Sequence, residues 1–351
     1  MTAHPMTPVK PPTYLTDIFT EDETARLFGV MRNKGPWRLI AGIYFKSVEE
    51  LLAVSGGSGD NEEELDLSDF LTPAFRGFFG NNGIVYEETV HDIFYSKKLL
   101  DLVKSMHGAQ YGAPYLFQFN MQGPSPGYDN GHFDGRSWRG MDPTNTPAWL
   151  TSIMAKSGLF DAWEVKAGQV ITYHYDSDID GGFTYWPDGP DAPPSRFAPP
   201  FRNSGILTDN QRMFHRGEAS GPRDRRGVPE GMALHSLLEP DGEEDWKVTT
   251  DGVVVNRFKA NEMRALFHYS AHVFTDMADV KRYYDHTDDL DRDRVFEMLI
   301  ADLRGRGVVF EVPTDPIADR AFIATLTRTY AMSPTIFPEE APLERRRRVS
   351  A

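Results

Sequence analysis

Between Pro114 and about residue 258 the chain is cut by glycines and prolines into short runs, and this confines it to small extended elements. Tyr115–Gln122 alternates, with Leu116, Gln118, Asn120 and Gln122 on one side and Phe117, Phe119 and Met121 on the other. That period of two reads as a half-buried strand. Gln169–Tyr175, Phe183–Trp186, Gly205–Phe214, Met232–Leu238 and Val253–Phe258 read as further strands, with a helix at Thr146–Lys156 between them. Pro187–Pro200 carries six prolines and is expected to be an irregular loop or lid.

Helical patterns flank this middle. Thr20 followed by Glu23 is a capping-box signature, Leu27, Val30 and Met31 follow at helical spacing, and Gly35-Pro36 stops the run. A short helix is expected after Ser47 and another over Lys97–His107, whereas SGGSGDNEEELDLSD (55–69) reads as a solvated loop. After Phe258 the chain is expected to be helical, over Asp276–Tyr284, Leu290–Arg304 and Ile317–Met332. His268 and His272 share an i, i+4 helical face in that reading, but no glutamate follows the first, so a zinc-protease mechanism fails. The order predicts one α+β domain on an antiparallel double sheet: a helical flank over 1–113, a core over 114–258 and a helical flank over 259–351.

Composition narrows the chemistry. The chain holds no cysteine, which excludes disulfides, thiolate metal sites and a thiol nucleophile; any metal must be held by His, Asp or Glu. With 37 Lys+Arg against 52 Asp+Glu among 351 residues the net charge is −15, so nucleic acid is not expected as a partner, and the ERRRR run near the C-terminus reads as a solvated tail. No window approaches the ~20 apolar residues of a membrane span, and the expectation is a soluble, cytoplasmic protein.

Three H-x-D triplets occur: His132/Asp134, His174/Asp176 and His286/Asp288. About one is expected by chance at this composition. On an extended segment, residues i and i+2 point to one face, so an imidazole and a carboxylate can share one metal. A 2-His-1-carboxylate triad then needs a second histidine from another strand. His286/Asp288, in YYDHTDDLDRD, reads as a helix-capping turn. His174/Asp176 reads as a strand histidine running into an aspartate-rich turn. His132/Asp134 is bracketed by Gly131 and Gly135, where backbone can approach an ion closely. His215 ends a strand-like run ahead of an arginine cluster, and an arginine fork suits the far carboxylate of a metal-chelated keto acid. Core histidines and a loop aspartate are the alternative reading.

On these residues the stretch 115–238 resembles the Fe(II)/2-oxoglutarate-dependent dioxygenase superfamily, in the manner of prolyl- and phytanoyl-hydroxylases. The resemblance implies a double-stranded β-helix (a jelly-roll, cupin-like core) and an iron held by His132, Asp134 and His215. It also implies 2-oxoglutarate bound by Arg225, with Arg223 and Arg226 as alternates, and a cosubstrate contact from Asn120. Tyr173–Pro187 looks like the middle section of the pattern, which places His174 off the metal. A carboxylate at position 134, where iron halogenases have a small residue, implies hydroxylation or a related C–H oxidation with O2. The substrate expected is a small organic molecule, with Phe183–Trp186 and 187–200 at the mouth and Arg136, Trp138 and Arg139 as its receivers or else as surface residues paired with acids. Two other readings stand beside it: a protein side-chain hydroxylase, and a non-redox cupin-like binding protein or isomerase.

Overall fold

The computed structural model describes residues 6–55, 66–176 and 180–344. In chain order the strands are β1 (Thr13–Thr16), β2 (Trp37–Leu39), β3 (Ala74–Asn81), β4 (Ile84–Val85), β5 (Tyr111–Gln122), β6 (Ser137–Trp138), β7 (Glu164–Val165) and β8 (Ala167–Tyr175). They continue as β9 (Phe183–Trp186), β10 (Ser195–Phe197), β11 (Phe201–Thr208), β12 (Phe214–Gly217), β13 (Leu237–Asp241), β14 (Asp245–Thr250), β15 (Val253–Phe258) and β16 (Arg264–Phe274). The helices are α1 (Glu21–Asn33), α2 (Ile40–Tyr44), α3 (Val48–Ser55), α4 (His91–Phe94), α5 (Lys97–His107), α6 (Ala148–Ser157), α7 (Met277–Tyr284), α8 (Arg292–Gly305) and α9 (Arg320–Thr329).

Antiparallel pairing joins β1-β11-β8-β16-β5-β3-β2-β13-β14-β15 into one large sheet, with β4 on β3, and β10-β9-β12 into a small one. The alternation of β5 decides the faces. Phe117, Phe119 and Met121 join Phe75, Phe79, Phe267 and Tyr269 in a core on the outer face of the large sheet, closed by Leu27 and Met31 of α1 and Leu99 and Val103 of α5. Each such buried side chain contributes on the order of 1.5–3 kcal/mol. The inner face carries Ile171, Tyr173 and Ile206, which pack on Phe183 and Tyr185 of the small sheet. The small sheet's other face, with Trp186 and Phe214, lies on a second core formed by α6, α8 and α9.

The capping box at Thr20 forms as the sequence predicts, and the helices after Ser47 and over 97–107 are present. Three expectations need correction. FHYSAHVF is part of strand β16, not a helix: residues four apart share a face on a strand as well as on a helix, so the spacing of His268 and His272 did not discriminate. Arg264, Leu266, His268, Ser270 and His272 point inward while Phe267, Tyr269, Ala271 and Val273 build the outer core, a period of two. The Pro-rich stretch 187–200 contains a three-residue strand, β10, whose Ser195–Phe197 pair with β9 because no proline falls within them. The N-terminal flank contributes strands as well as helices: β1 extends one edge of the large sheet, and β2 and β3 lie on its other side. Residues 56–65 and the arginine run 345–348 lie outside the described residues. Among the described residues no helix is long and apolar enough to cross a membrane.

Candidate metal centre

Backbone pairing brings the two histidines together. His132 N donates to His215 O at 2.9 Å and His215 N to His132 O at 2.8 Å, an antiparallel bridge that lays the 132 segment along β12. Their rings are 4.5 Å apart between centroids. Asp134 N donates to Asn210 O at 2.9 Å, so the same segment carries the carboxylate to the face where the rings meet. Gly131, at φ +109°, lets the chain turn into this bridge, and its N–H donates to Asp129 Oδ1 at 2.8 Å.

One donor atom each from His132, Asp134 and His215 lies within 4.8 Å of the others, a group able to hold a metal ion. Asp129 Oδ2 accepts from or pairs with His132 Nδ1 at 2.8 Å, and Met213 O lies 3.1 Å from His215 Nδ1. Both contacts occupy Nδ1 and leave Nε2 as the ligating atom. Asp134 Oδ2 is buried without a hydrogen-bond partner, and its other oxygen is 3.7 Å from His215 Nε2.

The electrostatics suit a cation. Burial, with His132 next to it, pushes His215 down to about 4, so this ring is a neutral donor at neutral pH. Burial also disfavours a charged His132, yet the Asp129 carboxylate outweighs it and holds the pKa above the usual histidine value. For Asp134 burial acts upward, but His215, His268, His132 and Arg76 together keep it below the usual carboxylate range. A buried anion with an orphaned oxygen beside two imidazole donors is a demand for a positive ion.

The other expected residues make the following contacts. Asn120 Oδ1 accepts from Arg76 Nε at 2.8 Å. Arg225 pairs with Glu262 and donates to Arg257 O; Arg226 pairs with Asp180 and Glu344; Arg223 is exposed in the same turn. Among the described residues no contact joins these three arginines to the His132, Asp134 and His215 cluster. His174 packs edge-on to Phe28 and against Phe267 in the outer core, and Asp176 pairs with Arg202. His286 pairs with Asp289 in the turn before α8, while Asp288 holds Arg139. Arg136 and Trp138 are buried rather than at the surface, with Arg136 Nε donating to Gln211 O.

Two inward residues of β16 lie at the site that the helical reading hid. His268 Nε2 is 3.8 Å from Asp134 Oδ2 and bonds Ser270 Oγ at 3.0 Å. Arg264 is buried, with its guanidinium over the Tyr173 ring at 4.8 Å and Nη2 donating to Gly182 O at 3.4 Å. Its Nε has no partner, and no described carboxylate forms an ion pair with it. A Cβ on Gly217, two residues beyond His215, would come within 3.7 Å of Arg264 Nη1. The alternating polar pattern of RALFHYSAHVF was the available signal for both residues.

No protein-family model matches the chain, and no curated protein does. Among solved structures, the chain is similar to an oxidoreductase of the 2OG-Fe(II) oxygenase family from Burkholderia pseudomallei, at 12% identity and TM-score 0.36, over 75% of this chain and 86% of that one. It is similar to a prolyl hydroxylase from Trichoplax adhaerens in complex with a hypoxia inducible factor oxygen degradation domain peptide fragment, at 9% identity and TM-score 0.33, over 77% and 86% of the two chains. A third is a prolyl 4-hydroxylase from Phytophthora capsici, at 12% identity and TM-score 0.32, over 92% and 88%.

Proposed function

We propose that this chain is a non-haem iron oxygenase that couples oxidative decarboxylation of 2-oxoglutarate to hydroxylation, or a related C–H oxidation, of a small organic molecule. The observation that carries the reading is the convergence of His132 and Asp134 from one segment and His215 from another onto one partly buried site. Two imidazoles and one carboxylate suit Fe(II), and a three-residue set leaves positions for cosubstrate and oxygen. In this reading the facing large and small sheets are a double-stranded β-helix, with the metal between them.

When bound, the iron supplies the decarboxylation of the keto acid by O2 and the oxidation of the substrate C–H bond. The protein's residues do the rest. Asp129 and the Met213 carbonyl orient the two imidazoles, and His268 packs beside the Asp134 carboxylate. Arg264 takes the distal carboxylate of 2-oxoglutarate, the role the resemblance implied for Arg225: it is buried, unpaired by a carboxylate and close to the His215 strand. A buried guanidinium without a counter-ion gains most from a ligand anion.

Anaerobic titration of the metal-free protein with Fe(II) and then 2-oxoglutarate tests this. A visible iron-to-keto-acid charge-transfer band, present in the wild type and absent in His215→Ala, is expected. A folded wild type with no band sinks the reading in favour of a non-redox barrel.

A further inference from the structure

The small sheet covers only part of the inner face of the large one. Over β8, Ile171, Tyr173 and Tyr175 are buried beneath Phe183 and Tyr185. Over β3 and the ends of β5 the same face stays half-exposed, at Ala74, Arg76, Phe78, Leu116, Asn120 and Gln122. That uncovered strip runs up to the metal centre: Arg76 lies opposite Asn120, Asn120 lies opposite Leu266, and two residues along β16 from Leu266 the His268 Nε2 is 3.8 Å from Asp134 Oδ2.

Arg76 is held by neutral side chains. Its Nε donates to Asn120 Oδ1 and its Nη1 to the Tyr44 hydroxyl, both at 2.8 Å, and its guanidinium lies 5.2 Å from the Tyr44 ring centroid. Both partners are neutral. Arg26, Arg139, Arg196, Arg212, Arg225 and Arg226 each pair with a carboxylate, whereas among the described residues Arg76 forms no ion pair. In a chain of net charge −15, a fixed arginine that forms no ion pair and faces an open strip can take a ligand anion. A single fork suits a carboxylate; a phosphate dianion beside the Asp134 carboxylate would need further cations. Further along β5, Tyr115 stacks on His272 of β16 with centroids 4.0 Å apart and planes at 15°. This pair offers a flat wall on the two strands, β5 and β16, that also carry Asn120 and His268.

We propose that Arg76, held by Asn120 and Tyr44, anchors a carboxylate of the molecule that is oxidised, so the substrate class is small organic carboxylates with a flat apolar body lying along Tyr115. The inference rests on the oxygenase reading and divides the labour between two arginines, Arg264 for the cosubstrate and Arg76 for the substrate. It also accounts for Asn120 as a positioning residue that aims Arg76, not as a cosubstrate contact.

The test uses benzoate and phenylacetate with their primary amides as probes. Each is titrated by calorimetry, and by perturbation of the charge-transfer band, into the full chain loaded anaerobically with Fe(II) and 2-oxoglutarate. Wild type is expected to bind the acids at least about tenfold more tightly than the amides. Arg76→Gln is expected to erase that preference and Arg76→Lys to restore part of it, while the 2-oxoglutarate titration midpoint stays within about twofold. If Arg76→Gln does not fold, Asn120→Ala with Tyr44→Phe releases the fork and is expected to lose the same preference. Equal binding of acids and amides by wild type, as for a protein side-chain hydroxylase, overturns the proposal; so do undiminished acid binding in both the glutamine variant and the double variant, and failure of wild type to bind any acid. Loss of 2-oxoglutarate binding in Arg76→Gln but not in Arg264→Gln overturns the division of labour and leaves the oxygenase reading standing. A wild type without the band fails at the earlier step.

Discussion

Asp129 Oδ2 lies 2.8 Å from His132 Nδ1, three residues away along the chain, and fixes which ring nitrogen of His132 faces Asp134 and His215. The same carboxylate accepts the Gly131 N–H, so the turn that delivers the histidine and the group that orients it are one device.

Asp129→Asn keeps the shape of that turn but removes the charge behind the imidazole. The expected result is a 10- to 100-fold (order of magnitude) weaker metal affinity, the usual cost of losing an outer-shell carboxylate on a metal-ligating histidine. Titration with Co(II), followed by its visible spectrum, measures this. An unchanged affinity would show that Asp129 does not act through His132.

Arg264 separates a ligand-binding role from a structural one. Replacing a buried charge by an apolar side chain of similar volume is neutral or stabilising when that charge has no ion-pair partner. Arg264→Met is therefore expected to keep or raise the melting temperature while weakening 2-oxoglutarate binding by roughly 10- to 100-fold, about 1.5–3 kcal/mol for a charge-assisted bond. A lower melting temperature with intact cosubstrate binding contradicts the assignment.

Lys156 carries a pH dependence that can be read from stability alone. Burial in α6 pushes its pKa down to about 7; its Nζ donates to Ala53 O at 2.7 Å. The unfolded chain holds this proton up to about pH 10.4. Between those values the unfolded state binds more protons than the folded one, so this residue makes stability rise with pH across that window. Below about pH 7 both states are charged and the folded state bears the full cost of burying the ammonium. Lys156→Met is expected to raise the urea midpoint at pH 6 and to flatten the difference between pH 6 and pH 9. Parallel pH curves for wild type and variant would refute it.

Local chemistry was legible in the residues. Thr20 and Glu23 formed the capping box, the period of two in 115–122 formed β5, and His132, Asp134 and His215 lie together as their spacing and surroundings suggested. Arg264, the arginine proposed for the cosubstrate, was not legible, because a fixed offset from His215 assumes a short hairpin. The chain instead makes the excursion through β13, β14 and β15 before β16 returns, and Arg264 stands at the start of that return.

By itself the sequence determined the features that neighbours along the chain set: caps, strand period, the absence of thiols and the donor types open to a metal. Tertiary structure alone decided which polar residues share a face. Arg76 and Asn120 meet across a β3–β5 register, Arg264 nears the His215 strand from β16, and His268 reaches Asp134 from β16. Pairing register depends on how each strand's apolar side fits the common core, a property of the whole sheet that no short segment encodes.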